Sequence, residues 1–228
     1  MTPKKYILST LEDLKTPIQM EDIGDIPLED AIYAKVMSKK FRKLKPGAEA
    51  VKLTRQAIKL LVREKKPIRI LEMFGGYKLW RFEEAPEIDW SELFSLTYFV
   101  QWAKLIASVY EPGVCFEYFS QDISIENLNN VQRSETDRYS ETFRDLLKFI
   151  GPYLPQNIKV KYARHYDLFK NPNDYYEELE LAKKEVLKEN NGKLPELTET
   201  MKAATELNVK QKPGQDKDPL WREKVELQ

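Results

Sequence analysis

Apolar positions along this chain recur at helical spacing in some stretches and at alternating spacing in others. Leu28, Ile32, Tyr33, Val36 and Met37 predict a helix over about residues 28–43, with Pro27 at a tolerated entry position and the basic run from Lys39 to Lys45 at its end. Val51, Ala57, Ile58, Leu60, Leu61 and Val62 predict a second helix over about 48–65. The β-branched run 67–73 then reads as a strand, and it leads into Phe74-Gly75-Gly76-Tyr77-Lys78, where glycine permits positive φ and close backbone approach. A long helix over about 90–109 is apolar on most sides, which predicts burial, and Asp89 with Glu92 has the spacing of a capping box. Val114–Phe119 is a second strand, after the turn Tyr110-Glu111-Pro112-Gly113. Tyr139, Phe143, Leu146, Leu147 and Ile150 mark a helix capped by Ser134, residues 158–162 alternate as a third strand, and helices follow at about 173–189 and 195–207.

Helix, strand, helix, strand, helix, strand is the order of an α/β fold with a Rossmann-like, mainly parallel sheet flanked by helices. The expected organisation is a helical N-terminal arm over 1–46, loosely packed in its first 26 residues, a Rossmann-like core over 47–190, and a helical or linker extension over 191–228. The last apolar stretch, 219–228, is about two turns long, so it either packs back or belongs to a chain that continues.

The chain has 228 residues, with 37 basic and 37 acidic side chains. That balance argues against a protein whose main business is gripping a nucleic-acid backbone. Its one cysteine, Cys115, makes no intrachain disulfide, and one cysteine with one histidine, His165, is too few for a finger-type zinc site. No apolar run approaches the ~18 residues of a membrane span. The first residues lack the apolar core of a secretory signal, so a cytoplasmic location and a small-molecule partner are expected. No motif calls for a cofactor or a metal.

Ligands of parallel sheets sit beyond the carboxyl ends of the strands. Three constellations fall there. In the first, Gly75, Gly76 and Tyr77 bring backbone close to a ligand and Lys78 can neutralise a phosphate or carboxylate; the competing reading is an ordinary glycine turn with a solvated lysine. In the second, Glu117, Ser120 and Asp122 offer a general base or an anchor for an amine, or else Ser120 or Asp122 caps the next helix. In the third, Arg164 can grip an anion bidentately and His165 titrates near neutrality, although a lone histidine is often a packing residue.

Ala57-Ile58, Lys66-Pro67-Ile68, Phe74 to Lys78, Pro86 to Glu92, Ile106 to Tyr110, Pro112-Gly113-Val114, Ser120-Gln121-Asp122 and Tyr139 share an order and spacing. Over about residues 57–140 this pattern resembles the isocyanide (isonitrile) synthase family of pyoverdine-like and dityrosine-like biosynthesis. The resemblance implies a Rossmann-like enzyme that condenses an amino acid with a pentulose phosphate. It implies carbonyl activation or phosphate binding by Lys78 and substrate positioning and proton transfer by Asp122. Gly75-Gly76-Tyr77 stands where the family has a proline-containing turn, Leu79 where it has serine, and Ile123 where it has glycine. A non-catalytic binding or assembly protein that keeps the fold, and a transferase acting on a nucleotide or sugar, are the alternative readings.

Overall fold

The computed structural model describes residues 3–41, 45–73, 87–128, 131–169, 171–192 and 198–199. Gly75, Gly76, Tyr77 and Lys78, all but residues 198–199 of the helix expected at 195–207, and the stretch after it lie outside the described residues. The elements are α1 (Pro3–Lys15), α2 (Leu28–Val36), α3 (Ala48–Arg63), β1 (Ile68–Met73), α4 (Trp90–Ala107), β2 (Val114–Ser120), α5 (Asp122–Leu128), α6 (Arg133–Ile150), a short 3-10 turn (Gly151–Tyr153), β3 (Ile158–Arg164), α7 (His165–Leu168) and α8 (Pro172–Glu189). The strands form one sheet in the order β1-β2-β3. Their starts are stitched side by side, Ile68 N–H to Gly113 O (2.9 Å) and Val114 N–H to Asn157 O (3.0 Å), as a parallel sheet requires. This three-stranded parallel sheet flanked by helices is a Rossmann-like α/β arrangement. The chain divides into two compact units, one of residues 1–72, 88–118 and 143–161, the other of 73–87, 119–142 and 162–228.

In the first unit, the even-numbered strand residues face the helices. Phe116 meets Phe99 and Trp102 of α4, and Tyr118 meets both Phe99 and Phe143 of α6. Two crossovers that step the same way across a sheet put both helices on one face if each is right-handed, and these ring contacts have that arrangement. The odd-numbered residues face the other way. There Glu117 is bridged by Arg69 (2.5 Å) and Lys161 (3.8 Å), and Arg69, Leu71 and Lys161 are exposed.

Helix α4 starts as its sequence dictates: Asp89 Oδ1 accepts from Ser91 N–H and Glu92 Oε2 from Asp89 N–H, both at 2.7 Å. Its burial is less complete than its composition predicts. Leu96, Val100 and Ile106 are fully buried, while Trp90, Phe94 and Tyr98 keep an exposed aromatic edge. Helix α2 ends at Val36 rather than near residue 43. The Lys35 carbonyl accepts from Ser38 N–H (3.2 Å), which tightens the last turn, and from the Trp102 indole N–H (3.3 Å). Helix α1, expected to be loosely packed, buries Leu11 and Leu14. The carbonyls at its end, Asp13 and Leu14, and that of Thr16 just beyond it all accept from Lys104 Nζ at 2.9–3.3 Å, so an ammonium on α4 closes the helix.

The Tyr110-Glu111-Pro112-Gly113 turn is anchored at both ends. Gly113 N–H donates to Tyr110 O (2.9 Å), and the Tyr110 hydroxyl donates to the carbonyls of Leu61 (3.2 Å) and Lys66 (2.9 Å) behind α3. Gly113 has φ +76°, and a Cβ there would stand 1.8 Å from the Asn157 carbonyl oxygen.

Candidate functional site: a buried Asp122–Arg164–His165 cluster

In the second unit, Ser120 ends β2 and Asp122 opens α5; Arg164 ends β3 and His165 opens α7. The parallel strands therefore deliver two of the three predicted constellations to the same end of the sheet. Asp122 is completely buried. Its Oδ2 accepts from Arg164 Nε, and its Oδ1 accepts from the backbone N–H groups of Ile123 (3.1 Å) and His165 (3.0 Å). Arg164 is 8% exposed and also binds Asp137 Oδ1 through Nη1 (2.7 Å). Burial alone would lower its pKa, but the hydrogen bonds to Asp122 and Asp137 outweigh that and hold the guanidinium charged. Among the described residues its buried Nη2 has no hydrogen-bond partner. A bidentate grip on an anion needs two nitrogens of the fork, and two of the three are already committed to carboxylates.

The His165 ring lies among Phe119 (centroids 5.0 Å), Tyr175 (4.9 Å) and Phe169 (6.1 Å). Burial pushes its pKa below 6.5, against the pull of Asp122, so the imidazole is neutral at pH 7. Its Nδ1 is buried and without a partner among the described residues. A neutral imidazole with an unengaged nitrogen can accept a proton or a hydrogen bond from a ligand.

Around this cluster runs a second polar network. Glu126 accepts from the Tyr166 hydroxyl and from Thr136 Oγ1, both at 2.5 Å, and Arg133 stacks on the Tyr166 ring at 4.3 Å. The Ser124 and Tyr175 hydroxyls are hydrogen-bonded, which ties α5 to α8. Ser120 is buried beside the Tyr162 hydroxyl, which also meets Ser140 Oγ (2.6 Å).

The structure thus brings together Asp122, Arg164 and His165, places Ser120 beside Tyr162, and puts Glu117 in the separate cross-sheet charge ladder with Arg69 and Lys161. Sequence reasoning missed Asp137 and Glu126. One signal was available: Thr136 and Ser140 interrupt the apolar stripe of α6 on its buried side, and both are at or below 1% exposure. Small hydroxyl residues on a buried helical face mark a polar patch beneath it.

Comparison with protein-family models, curated proteins and solved structures finds no match. Among the described residues, no helix is long and apolar enough to cross a membrane, and no group of three or more His, Cys, Asp or Glu side chains is arranged to hold a metal ion.

Proposed function

We propose that this chain is an isocyanide-synthase-like enzyme acting on an amino acid and/or a sugar phosphate at the carboxyl ends of β2 and β3. One observation carries the reading: a fully buried carboxylate, Asp122, fixes a buried arginine and a neutral histidine at the ends of adjacent parallel strands. A buried ion network contributes little net stability, and such clusters concentrate at functional sites. The ordered family-like motifs over residues 57–140 supply the chemistry. In this reading Lys78 polarises the substrate carbonyl. Asp122, with both oxygens engaged, positions rather than reacts. His165 Nδ1 takes the proton, and Arg164 Nη2 donates one hydrogen bond to a substrate oxygen.

The saturation of Asp122 also favours a second reading, a non-catalytic protein whose cluster only braces the fold. Thermal unfolding in the presence of amino acids and pentulose phosphates separates the two. A ligand at 100 times its Kd stabilises by about 2.7 kcal/mol. The enzyme reading expects such a shift in wild type and its loss in Lys78→Ala. No shift with any of these ligands, or a shift that survives Lys78→Ala, rejects it.

A further inference from the structure

Helix α3 has two apolar faces. The inner one holds buried Ile58 with half-buried Val51, Leu61 and Val62. The outer one holds Ala50, Leu53, Ala57 and Leu60, all exposed, with Leu53 at 55% and Leu60 at 45%. Scattered exposed leucines need no explanation. Four uncharged residues spaced three, four and three apart are different: over about one and a half heptads they have the a/d spacing of a seam between two helices. Glu49, Gln56 and Arg63 follow at seven-residue intervals along one flank, and Thr54 and Leu61 leave the other flank uncharged.

We propose that this seam is a self-association surface, on which α3 of a second copy lies antiparallel across a two-fold axis. In that pairing each layer sets a leucine against an alanine. Leu53 meets the partner's Ala57, Leu60 meets the partner's Ala50, and symmetry repeats both. Alternating large and small residues lets two helices interlock without gaps. The flank is complementary in the same register, because Glu49 faces the partner's Arg63 at both ends and Gln56 faces the partner's Gln56. Among the described residues Arg63 has no ion-pair partner within its own chain, and Glu49 has only a long, exposed one, Lys52 at 3.8 Å. A parallel pairing would instead stack alanine on alanine and leucine on leucine, and would leave Arg63 without an acid. The contact is isologous, so it closes as a dimer. One helix pair buries less than the ~1,200 Å² typical of a stable interface, so the dimer is weak and concentration-dependent.

Sedimentation equilibrium of the full chain, at up to about 1 mM, tests this; that concentration half-fills an interaction of about 4 kcal/mol. The expected result is a monomer–dimer equilibrium in wild type and a monomer in Leu53→Glu/Leu60→Glu. Glu49→Arg weakens the dimer about tenfold and Glu49→Arg/Arg63→Glu restores it, a tenfold change being about 1.4 kcal/mol shared between two symmetric ion pairs. Gln56→Cys gives a disulfide-linked dimer on oxidation, with wild type, whose Cys115 is buried, as the control. Wild type that stays monomeric overturns the proposal, even if it binds anionic vesicles. So does a dimer that survives Leu53→Glu/Leu60→Glu. If that variant fails to fold, the Gln56→Cys cross-link decides: its absence in a dimeric protein overturns the assignment.

Discussion

Arg164 Nε and Asp122 Oδ2 form a buried ion pair at the carboxyl ends of neighbouring strands, and the same guanidinium reaches Asp137 through Nη1. Removing the arginine would leave a fully buried carboxylate with only two backbone N–H partners. We expect Arg164→Leu to destabilise the fold by about 3–5 kcal/mol, and the double variant with Asp122→Leu by less than the sum of the single changes. Urea unfolding measures both; full additivity would mean that the pair is not coupled.

His165 gives the pH dependence its sign. The groups around its ring and backbone are Asp122, Arg164 and Tyr175, and burial is the largest influence, lowering its pKa from 6.5. The unfolded chain therefore binds a proton at a higher pH than the folded one. Stability is fully present above about pH 6.5 and is lost as pH falls from there toward the folded pKa. His165→Phe should flatten that part of the stability–pH curve. Denaturant midpoints between pH 5 and 8 check it, and an unchanged slope would contradict a depressed folded-state pKa.

Gly113 carries the N-terminal edge of the sheet. Gly113→Ala combines a left-handed backbone, which costs a residue with a Cβ about 1–2 kcal/mol, with overpacking against the Asn157 carbonyl of about 1–3 kcal/mol. A loss of about 2–5 kcal/mol is expected by chemical denaturation. A loss under 1 kcal/mol would mean that β2 and β3 do not meet at this turn as described.

Lys104 closes α1 from 90 residues away along the chain. Lys104→Met keeps the aliphatic stem and deletes three charge-assisted bonds, so we expect a loss of about 1.5–3 kcal/mol and faster amide exchange in α1. Hydrogen exchange reads the second effect locally; equal protection of α1 in both proteins would show that the cap is dispensable.

What the sequence makes legible follows from how far each determinant reaches. The capping box at Asp89 and Glu92, the alternation of β3 and the helical periodicity of α6 are local, and all appear in the fold. Strand order places Asp122 and the Arg164–His165 pair at the carboxyl ends of strands, but their direct contact was not legible, because it depends on β2 and β3 being neighbours in the sheet. The end of α2 was not legible, because the turn that closes it at Lys35 and Ser38 is braced by Trp102 from another helix. The packing of α1 was not legible either, because its cap is Lys104. For Asp137 and Glu126 the hydroxyls of Thr136 and Ser140 signal only that a polar patch lies beneath α6; that Arg164 and Tyr166 supply it depends on the packing of a distant segment.

The Asp122–Arg164–His165 cluster is the proposed substrate site. His165 is the only histidine in the chain, so its ring resonances are unambiguous in an NMR spectrum. Titrating aromatic amino acids and a pentulose phosphate into the protein should move those resonances saturably, with the same apparent Kd as the thermal shift. Resonances that stay fixed at ligand concentrations that stabilise the fold would place binding elsewhere and contradict the claim.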